Sequence, residues 1–317
     1  MKIGERAFAN CTNLSSVAIP NSVTEIGYSA FLHCTSLFSV AIPDGVTEIK
    51  SGTFANCTNL SSVAIPANVT YIGGEAFSGC AKLSSVAIPD GVTEIESGTF
   101  ANCTNLAAIP IPASVTYIGA KAFSGCTSLS SVAIPDGVKS INKSTFRDCS
   151  NLSSVLIPTS VTDIDSEAFS GCTNLSSVTI PANTTKIGSK AFYRCTSLGS
   201  IEIPNSVTSI ESNAFGVCES LSSIVIPNSV TSIEPSVFED CINLKSVVLP
   251  ESITSIGEFA FDGCDAVNFK VLATIPPTVG KYALPSNSTV YVLPECVDTY
   301  KQADGWKDCI IKPIEQQ

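Results

Sequence analysis

Fourteen cysteines and a single histidine are the residues of this 317-residue chain with the most reactive side chains. Twelve of the cysteines recur with a constant 23-residue period, from Cys11 to Cys264. Zinc sites use cysteine pairs about two to four residues apart, so this spacing does not predict a metal centre. His33 is the one possible imidazole base, and it adjoins Cys34, so the two side chains diverge and form a poor catalytic pair. The sequence therefore predicts a chain that is not an enzyme, with no catalytic residue, no metal ligand and no cofactor.

The cysteines of the repeating column are predicted to form a buried ladder of reduced thiols. Stacked coils place successive Cα atoms about 4.8 Å apart. Parallel side chains keep the Cβ atoms that far apart too, which exceeds the roughly 3.8 Å of a disulfide. Cys296 and Cys309 lie outside the column. They are the candidate disulfide, which would staple a terminal helix if the chain is secreted.

Composition narrows the class of partner. Charged residues make up 14 % of the chain, against roughly 25 % in an ordinary soluble domain, which excludes disorder driven by charge. The net charge of −11 disfavours nucleic acid, because a phosphate backbone demands a basic surface. No apolar run approaches the ~20 residues of a membrane span, so membrane insertion is not predicted. No leader is recognisable either, and a signal or anchor is expected to lie outside this sequence.

The residues between the cysteines repeat with the same 23-residue period. Phenylalanine recurs from Phe8 to Phe261, three residues before each cysteine, and leucine recurs from Leu14 to Leu244. The unit reads A-F-x-x-C-x-x-L-x-x-V-x-I-P-x-x-V-T-x-I-x-x-x. Such a unit is too short to bury its own core, so the period predicts a solenoid of stacked coils.

Each unit is predicted to hold two short strands and a short helical segment. Val17 and Ile19 alternate with small residues, as in a strand buried on one face, and Pro20 ends that strand. After a turn, a second strand ends at Ile26. The spacing of three between Ala-Phe, Cys and Leu predicts one or two turns of α-helix or 3₁₀-helix that face inward.

A 46-residue period overlies this pattern in the first half of the chain. An Asp-Gly pair recurs every second unit, and threonine replaces the alanine before phenylalanine in every second unit. The Asp-Gly pairs begin at Asp44, Asp90 and Asp136, and the threonines are Thr53, Thr99 and Thr145. This period indicates that units were duplicated in pairs.

The repeat unit matches a known consensus, L-x-x-L-x-L-P-x-x-L-x-x-I-G-x-x-A-F-x-x-C, position by position from Leu60 to Cys80. It resembles the leucine-rich repeat of the BspA-like class of bacterial surface proteins, and the resemblance covers residues 3 to about 272. It implies an α/β repeat solenoid: a leucine-rich repeat arc of 23-residue coils with a parallel β-sheet on the concave side. Short strands and short helix or 3₁₀ segments are expected on the other sides, with a C-terminal cap. The asparagine column of better-known leucine-rich repeats is absent.

Two segments are predicted from the register. Residues 1–272 form the leucine-rich repeat solenoid of about twelve units, and residues 273–317 form the C-terminal capping segment. Phe269 and Val271 are expected to face inward after a one-residue slip, followed by a strand over residues 288–293 and a short helix over residues 294–303. At the other end the repeat begins directly at Ile3, so we expect an unpaired strand edge that associates with further sequence or a second copy.

A candidate binding surface follows from the outward positions of the first strand. These positions form a smooth groove of small residues that lacks tight aromatic anchors, and Glu202 roughens it. Tyrosines outside this strand are the better anchors. The candidate residues are Ser16, Ser39, Ser62, Ser85, Ser131, Ser177 and Glu202, with Tyr28, Tyr71 and Tyr117 outside the strand.

The resemblance implies a non-catalytic protein, at the cell surface or secreted, that mediates protein–protein contact or adhesion to a host or matrix ligand. Two alternatives stay open: a structural spacer, or a glycan-binding module of a larger surface protein or enzyme. Adhesion requires an exposed apolar or aromatic patch. A catalytic role requires a pocket with convergent titratable groups, and a spacer requires neither feature.

Overall fold

In the computed structural model, residues 1–285 and 287–315 are described, and the chain divides into unit 1, Met1–Val161, and unit 2, which begins at Thr162. Each unit is a parallel-strand β-solenoid built on the 23-residue period. Each coil has a serine side, which carries Ser39–Ala41 or its equivalents, and a threonine side, which carries Glu48–Ile49 or its equivalents. The strands and their parallel register confirm the predicted fold class.

Unit 1 contains eleven short strands within its described residues. Serine-side strands pair as β3–β5 and β9–β11, and threonine-side strands pair as β1–β2, β4–β6 and β7–β8. The strands are β1 (Lys2–Ile3), β2 (Glu25–Ile26), β3 (Ser39–Ala41), β4 (Glu48–Ile49), β5 (Ser62–Ala64), β6 (Tyr71–Ile72), β7 (Glu94–Ile95), β8 (Tyr117–Ile118), β9 (Ser131–Ala133), β10 (Ser140–Ile141) and β11 (Ser154–Leu156).

The 46-residue period of unit 1 sets which coils pair on the threonine side. The backbone N–H of Gly73 donates to the carbonyl of Ile49 at 2.8 Å. A Cβ at Gly73 would lie 2.5 Å from the backbone nitrogen of Ser51, so this approach needs a residue without a side chain. Gly27 and Gly119 make the same bond to the preceding coil. The alternate coils hold Lys50, Glu96 and Asn142 at this position and a buried threonine three residues later, whose hydroxyl donates to that residue's carbonyl.

Unit 2 contains further short strands, one 3₁₀ turn and one α-helix within its described residues. Its serine-side strands form a five-stranded parallel sheet in the order β15-β17-β19-β21-β22. The elements are β12 (Asp163–Ile164), β13 (Lys186–Ile187), β14 (Ser209–Ile210), β15 (Ser223–Val225), β16 (Ser232–Ile233), β17 (Ser246–Leu249), β18 (Ser255–Ile256), β19 (Asn268–Val271), β20 (Thr278–Val279), β21 (Thr289–Val292), the 3₁₀ turn Pro294–Cys296, α1 (Val297–Gln302) and β22 (Ile310–Pro313).

The C-terminal part of unit 2 follows the predicted slip. Phe269 pairs with Val247, one position short of the full period, and is fully buried, as is Val271. Parallel pairing continues through β22, inside the predicted capping segment. Tyr300 of α1 and Trp306 are both fully buried, with their rings 5.3 Å apart. Their polar groups donate to backbone carbonyls at 2.8 Å each, which satisfies the buried O–H and N–H.

Each unit has an interior of stacked identical side chains. Neighbouring phenylalanine rings are nearly parallel, and their centroids lie 5.2 to 5.7 Å apart in unit 1, as in the Phe77–Phe100 pair. Each cysteine of the repeating column from Cys34 to Cys264 is buried and, in most coils, its thiol donates to the carbonyl of the phenylalanine of the preceding coil. The thiol of Cys57, for example, lies 3.1 Å from the carbonyl oxygen of Phe31.

The segment around each phenylalanine is a run of turns rather than the short helix expected from the spacing of three. Alternate N–H groups donate within the coil and to the next coil: that of Ala9 to Arg6, and that of Phe8 to Ala30 at 2.8 Å. Two residues per coil have a left-handed φ, such as Asn56 at 58° and Glu75 at 58°. A positive φ interrupts any helix. Among the described residues, no helix is long and apolar enough to cross a bilayer.

Candidate functional site

The serine side of unit 2 presents the most varied surface of the repeated strands. Its outward positions hold Val225 on β15, Val248 on β17, Lys270 on β19 and Tyr291 on β21, which are neighbours across the sheet. Val225 is 62 % exposed, and an exposed large aliphatic side chain on a sheet face is available for contact. Apolar, cationic and aromatic groups therefore follow one another across four strands.

A cleft of about 450 Å³ opens beside this sheet, and we name it the Glu202 cleft. One coil contributes Ser200, Glu202, Ile203, Pro204 and Asn205, and the next contributes Ser223, Val225 and Pro227. The exposed carboxylate of Glu202 forms no ion pair and no hydrogen bond within the described residues. The cleft thus combines apolar walls with one unpartnered negative charge.

The backbone beside Glu202 is also unpaired. Residues 200–203 form no strand, although they occupy the strand position of the coil. Within the described part of the chain, the carbonyls of Ser200, Ile201 and Glu202 accept no hydrogen bond. The hydroxyls of Ser200 and Ser223 likewise have no partner there. The backbone N–H groups of residues 200–203 also donate no hydrogen bond there. The cleft therefore presents unpaired donors and acceptors, with the carboxylate of Glu202 as its charged group.

The serine side of unit 1 is smooth, as the sequence predicts. All of the predicted serines of this side are exposed, and their outward neighbours in the strands are small. The exposed residues are Ser16, Ser39, Ser62, Ser85 and Ser131 in unit 1, with Ser177 and Glu202 in unit 2. Leu156, 68 % exposed at the end of β11, and Phe38, 61 % exposed, are larger side chains on or next to these strands.

The predicted tyrosines lie on a different side of the coil. Tyr71 and Tyr117 belong to threonine-side strands, so they share no sheet with the predicted serines. Tyr28 is 52 % exposed, with the Lys50 ammonium 5.8 Å from its ring centroid. Burial, with a smaller contribution from the carboxylate of Glu96, raises the pKa of Tyr71. A cleft of about 430 Å³ beside Tyr28 is lined by Tyr28, Ser29, Ser51, Gly52, Gly74, Glu75 and Ser97.

The cysteine ladder is chemically inert at neutral pH. Burial raises the pKa of Cys57, Cys126 and Cys195 to about 12, so these thiols stay protonated and unreactive. Cys296 is buried and Cys309 is half-buried, and both are free thiols in the structure. The disulfide between these two residues stays a prediction.

His33 is an exposed residue at one of the left-handed positions, with φ of 59°. Its neighbour Cys34 is fully buried, and the thiol donates to the carbonyl of Phe8. The two side chains therefore face different environments. Among residues 1–285 and 287–315, no group of three or more His, Cys, Asp or Glu side chains is arranged to hold a metal ion.

Two features of the coils were not predicted from the sequence. The left-handed turns had a signal, since asparagine or glycine stands at Asn56, Gly79, Asn102 and Gly125. The Glu202 cleft had only part of such a signal: Glu202 departs from the small residues of its column, but the opposite wall of the cleft, Val225 and Pro227, comes from the next coil.

Parallel coils with a 23-residue period, each with buried leucine, isoleucine and phenylalanine columns, define the leucine-rich repeat class of solenoids. The sequence profile of the BspA-type leucine-rich repeat region matches the chain in six copies, over residues 1–107, 95–221 and 162–291. The chain belongs to this BspA-type family. The predicted resemblance is thereby confirmed.

Solved structures of bacterial proteins are similar to this chain. A leucine-rich repeat protein from Bacteroides ovatus ATCC 8483 is 29% identical, with a TM-score of 0.83 over 99% of this chain and 87% of its own. A leucine rich cell surface protein from Faecalibacterium prausnitzii A2-165 is 35% identical, with a TM-score of 0.61 over 85% and 82%. A leucine-rich repeat protein from Eubacterium ventriosum ATCC 27560 is 26% identical, with a TM-score of 0.51 over 79% and 82%. Comparison with curated proteins found no match.

Proposed function

We propose that this chain is a non-catalytic binding protein, at the cell surface or secreted, that adheres to a host or extracellular-matrix protein through the serine side of unit 2. The observation that carries the proposal is the row formed by the exposed Val225 and Lys270 and the half-buried Val248 and Tyr291 beside the Glu202 cleft. A surface row that mixes apolar, aromatic and charged groups suits a protein partner. The Faecalibacterium prausnitzii relative, described as a cell surface protein, supports the proposed location.

Binding to a panel of immobilised extracellular-matrix proteins and to cultured host cells tests this role. The double variant Val225→Asp/Val248→Asp is expected to lower the affinity at least about tenfold, because it places two charges in the apolar centre of the row. Ala64→Asp/Ala87→Asp is the matched control, since these alanines hold the same coil positions in unit 1. Equal binding of both variants and the unmodified chain would contradict the assignment of this face.

The proposed location has its own test. Antibody labelling of intact cells of the source organism, with fractionation of cells and medium, is expected to find the chain outside the cytoplasmic membrane. Recovery of the protein from the cytoplasmic fraction alone would refute the location without deciding which face of the molecule binds.

The cleft beside Tyr28 favours a second candidate function, a glycan-binding module of a larger surface protein or enzyme. An exposed aromatic ring with hydroxyls and the carboxylate of Glu75 around it provides a stacking surface and hydrogen-bond partners for a sugar. On a glycan array, Tyr28→Ala is then expected to abolish binding, and Tyr282→Ala, which removes another exposed ring, is expected to leave it intact. If the chain is purely a structural spacer, it is expected to bind no ligand either in the matrix-protein and host-cell assay or on the glycan array.

A further inference from the structure

The Glu202 cleft has the composition of a pocket for a cationic side chain. Its charged group is the carboxylate of Glu202, and its walls are Ile203 and Pro204 on one coil and Val225 and Pro227 on the next. No lysine or arginine lines it. A volume of about 450 Å³ lies within the range of pockets that bind small ligands or single side chains.

The carboxylate of Glu202 needs a donor. It has no hydrogen-bond donor and no ion-pair partner within the described residues. An arginine side chain offers five N–H donors in a planar fork, two of which match the two oxygens of one carboxylate, whereas a lysine offers three on one point. The unpaired carboxylate therefore suits the guanidinium better than the ammonium.

The apolar walls suit the rest of an arginine side chain. Its three methylene groups lie well against aliphatic surface while the charged end stays hydrogen-bonded. Val225, a wall of the cleft, is 62 % exposed, so a bound stem would remove apolar surface of this side chain from water. The same stem without the charge would leave the Glu202 carboxylate unpaired.

The charges of the neighbouring strands fix where the cation binds. Lys270 and Lys312 occupy outward positions of β19 and β22 on the same serine side and repel a cation from those strands. The net charge of the whole chain is −11, which favours encounter with a basic partner. Among the outward positions of these serine-side coils, Glu202 is the acidic residue that attracts a cation.

We propose that the Glu202 cleft binds an arginine side chain presented by the partner protein, with the guanidinium on the Glu202 carboxylate and the stem on Val225 and Pro227. The partner is then a protein with an exposed, accessible arginine, and this residue is the anchor of the interface. This inference rests on the proposed binding function, but its test uses a small probe, so its failure is separate from failure of the matrix-protein assay.

The probe is N-acetyl-arginine-N-methylamide, titrated against the full chain with labelled valine and isoleucine methyl groups. Methyl NMR is expected to show shifts at Val225 and Ile203. The citrulline analogue has nearly the same shape without charge and is expected to bind at least about tenfold more weakly, as is the arginine probe to Glu202→Gln. The lysine analogue is expected to bind about threefold more weakly than arginine.

The matched control places a carboxylate on the same coil position of unit 1. Ala64→Glu is expected not to bind the arginine probe, because Ala87 of the next coil stands where Val225 stands beside Glu202. Equal affinity for arginine and citrulline, or for Glu202→Gln and the unmodified chain, would overturn the proposal. Equal affinity for arginine and lysine would overturn the assignment to a guanidinium, and shifts away from Val225 would overturn the location. Because Glu202 is exposed, Glu202→Gln is expected to fold, which far-ultraviolet circular dichroism checks.

Discussion

In unit 1, the outward position at the end of the serine-side strand segment holds alanine in five coils, with Pro110 and Leu156 in the other two; in unit 2, the same position holds Thr179, Glu202, Val225 and Val248. The interiors do not differ in this way. Both units stack phenylalanine on phenylalanine, and both bury the column cysteines that follow these rings, from Cys34 onward. An interior position must match its neighbours on both sides, whereas an outward position contacts solvent and is free to vary. Differences in binding between the two units therefore depend on a few outward residues.

The interior of each unit, with its column of buried thiols, is expected to be destabilised at alkaline pH. Burial raises the pKa of Cys57, Cys126 and Cys195 to about 12, while a thiol in an unfolded chain ionises near a pKa of about 8.5. Between these values the unfolded chain has lost protons that the folded chain retains. The free energy of unfolding therefore falls as pH rises, by about 1.4 kcal/mol per pH unit for each such thiol.

Urea unfolding at pH 8 to 11, followed by circular dichroism, measures this loss. Cys126→Ala is expected to reduce the slope by the contribution of one thiol, and Cys11→Ala, which removes an exposed thiol, is expected to leave it unchanged. A constant free energy of unfolding between pH 9 and pH 11 would contradict the buried ladder in both units.

Removal of one stacked ring is expected to cost the same in either unit. Phe77 in unit 1 and Phe215 in unit 2 are fully buried, and each has neighbouring rings at about the same distance, 5.6 Å for Phe77 and 5.5 to 5.6 Å for Phe215. Phe77→Ala and Phe215→Ala are each expected to lower the free energy of unfolding by about 3–5 kcal/mol. Circular dichroism follows the whole chain, and fluorescence of Trp306 follows unit 2. Costs that differ by more than about 2 kcal/mol, the usual spread for a buried phenylalanine, would show that the interiors are not equivalent.

Gly73, on the threonine side of unit 1, is expected to be the next most sensitive position to substitution. Gly73→Ala places a Cβ 2.5 Å from the backbone nitrogen of Ser51, and the forced shift is expected to cost about 1–3 kcal/mol. Gly4 holds the same position in the first coil, with no atom within 4 Å of an added Cβ. Gly4→Ala is therefore the control, with no loss in thermal or urea unfolding. Equal effects of the two substitutions would show that close approach is not the reason for glycine at Gly73.

The smallest expected effect is an increase in the free energy of unfolding, caused by a substitution in unit 2. Val217 has a φ of 59°, which is unfavourable for a β-branched residue, whereas unit 1 holds Asn102 at the same coil position. Val217→Asn is expected to raise the free energy of unfolding by about 1 kcal/mol, because asparagine tolerates this conformation. Val225→Asn, on a strand of the same unit, is the control and is expected to give no gain. A loss of stability in Val217→Asn would contradict the strain at this position.

Most of the fold followed from the sequence because stacking forces like residues into register. The columns of Phe100 and Cys103, the two strand positions of each coil and the slip at Phe269 are all visible as spacings, although the serine-side position forms no strand in some coils, such as that of Glu202. The turns around each phenylalanine were expected as short helices, since a spacing of three is common to 3₁₀-helix and to consecutive turns. Residues with a left-handed φ distinguish consecutive turns from a 3₁₀-helix. Asparagine and glycine, which tolerate this φ, stand at Asn56 and Gly79 and were the indication of such turns in the sequence.

The candidate site was predicted only in part. Glu202 stood out because it interrupts a column of small residues, but the cleft depends on Val225 and Pro227 of the next coil. Spacing gives the order of residues along a column and does not give the depth between two coils. Spacing also does not show which side of the coil a residue lies on. Tyr71 and the serines were therefore predicted to belong to one binding surface, although they lie on different sides of the coil.

From Gly27 onward, the natural module of unit 1 is a pair of coils, since every second coil supplies the glycine that lets its N–H reach the carbonyl of the coil before it. Gly27 makes the same bond to the coil of Gly4, so two adjacent glycine coils still pair. Loss of a glycine coil would instead leave two threonine coils adjacent, at a junction where no glycine allows this bond. Removal or addition of a 46-residue pair preserves every junction. Lineages and designs that lengthen or shorten this half of the protein are therefore expected to keep a glycine coil after each threonine coil.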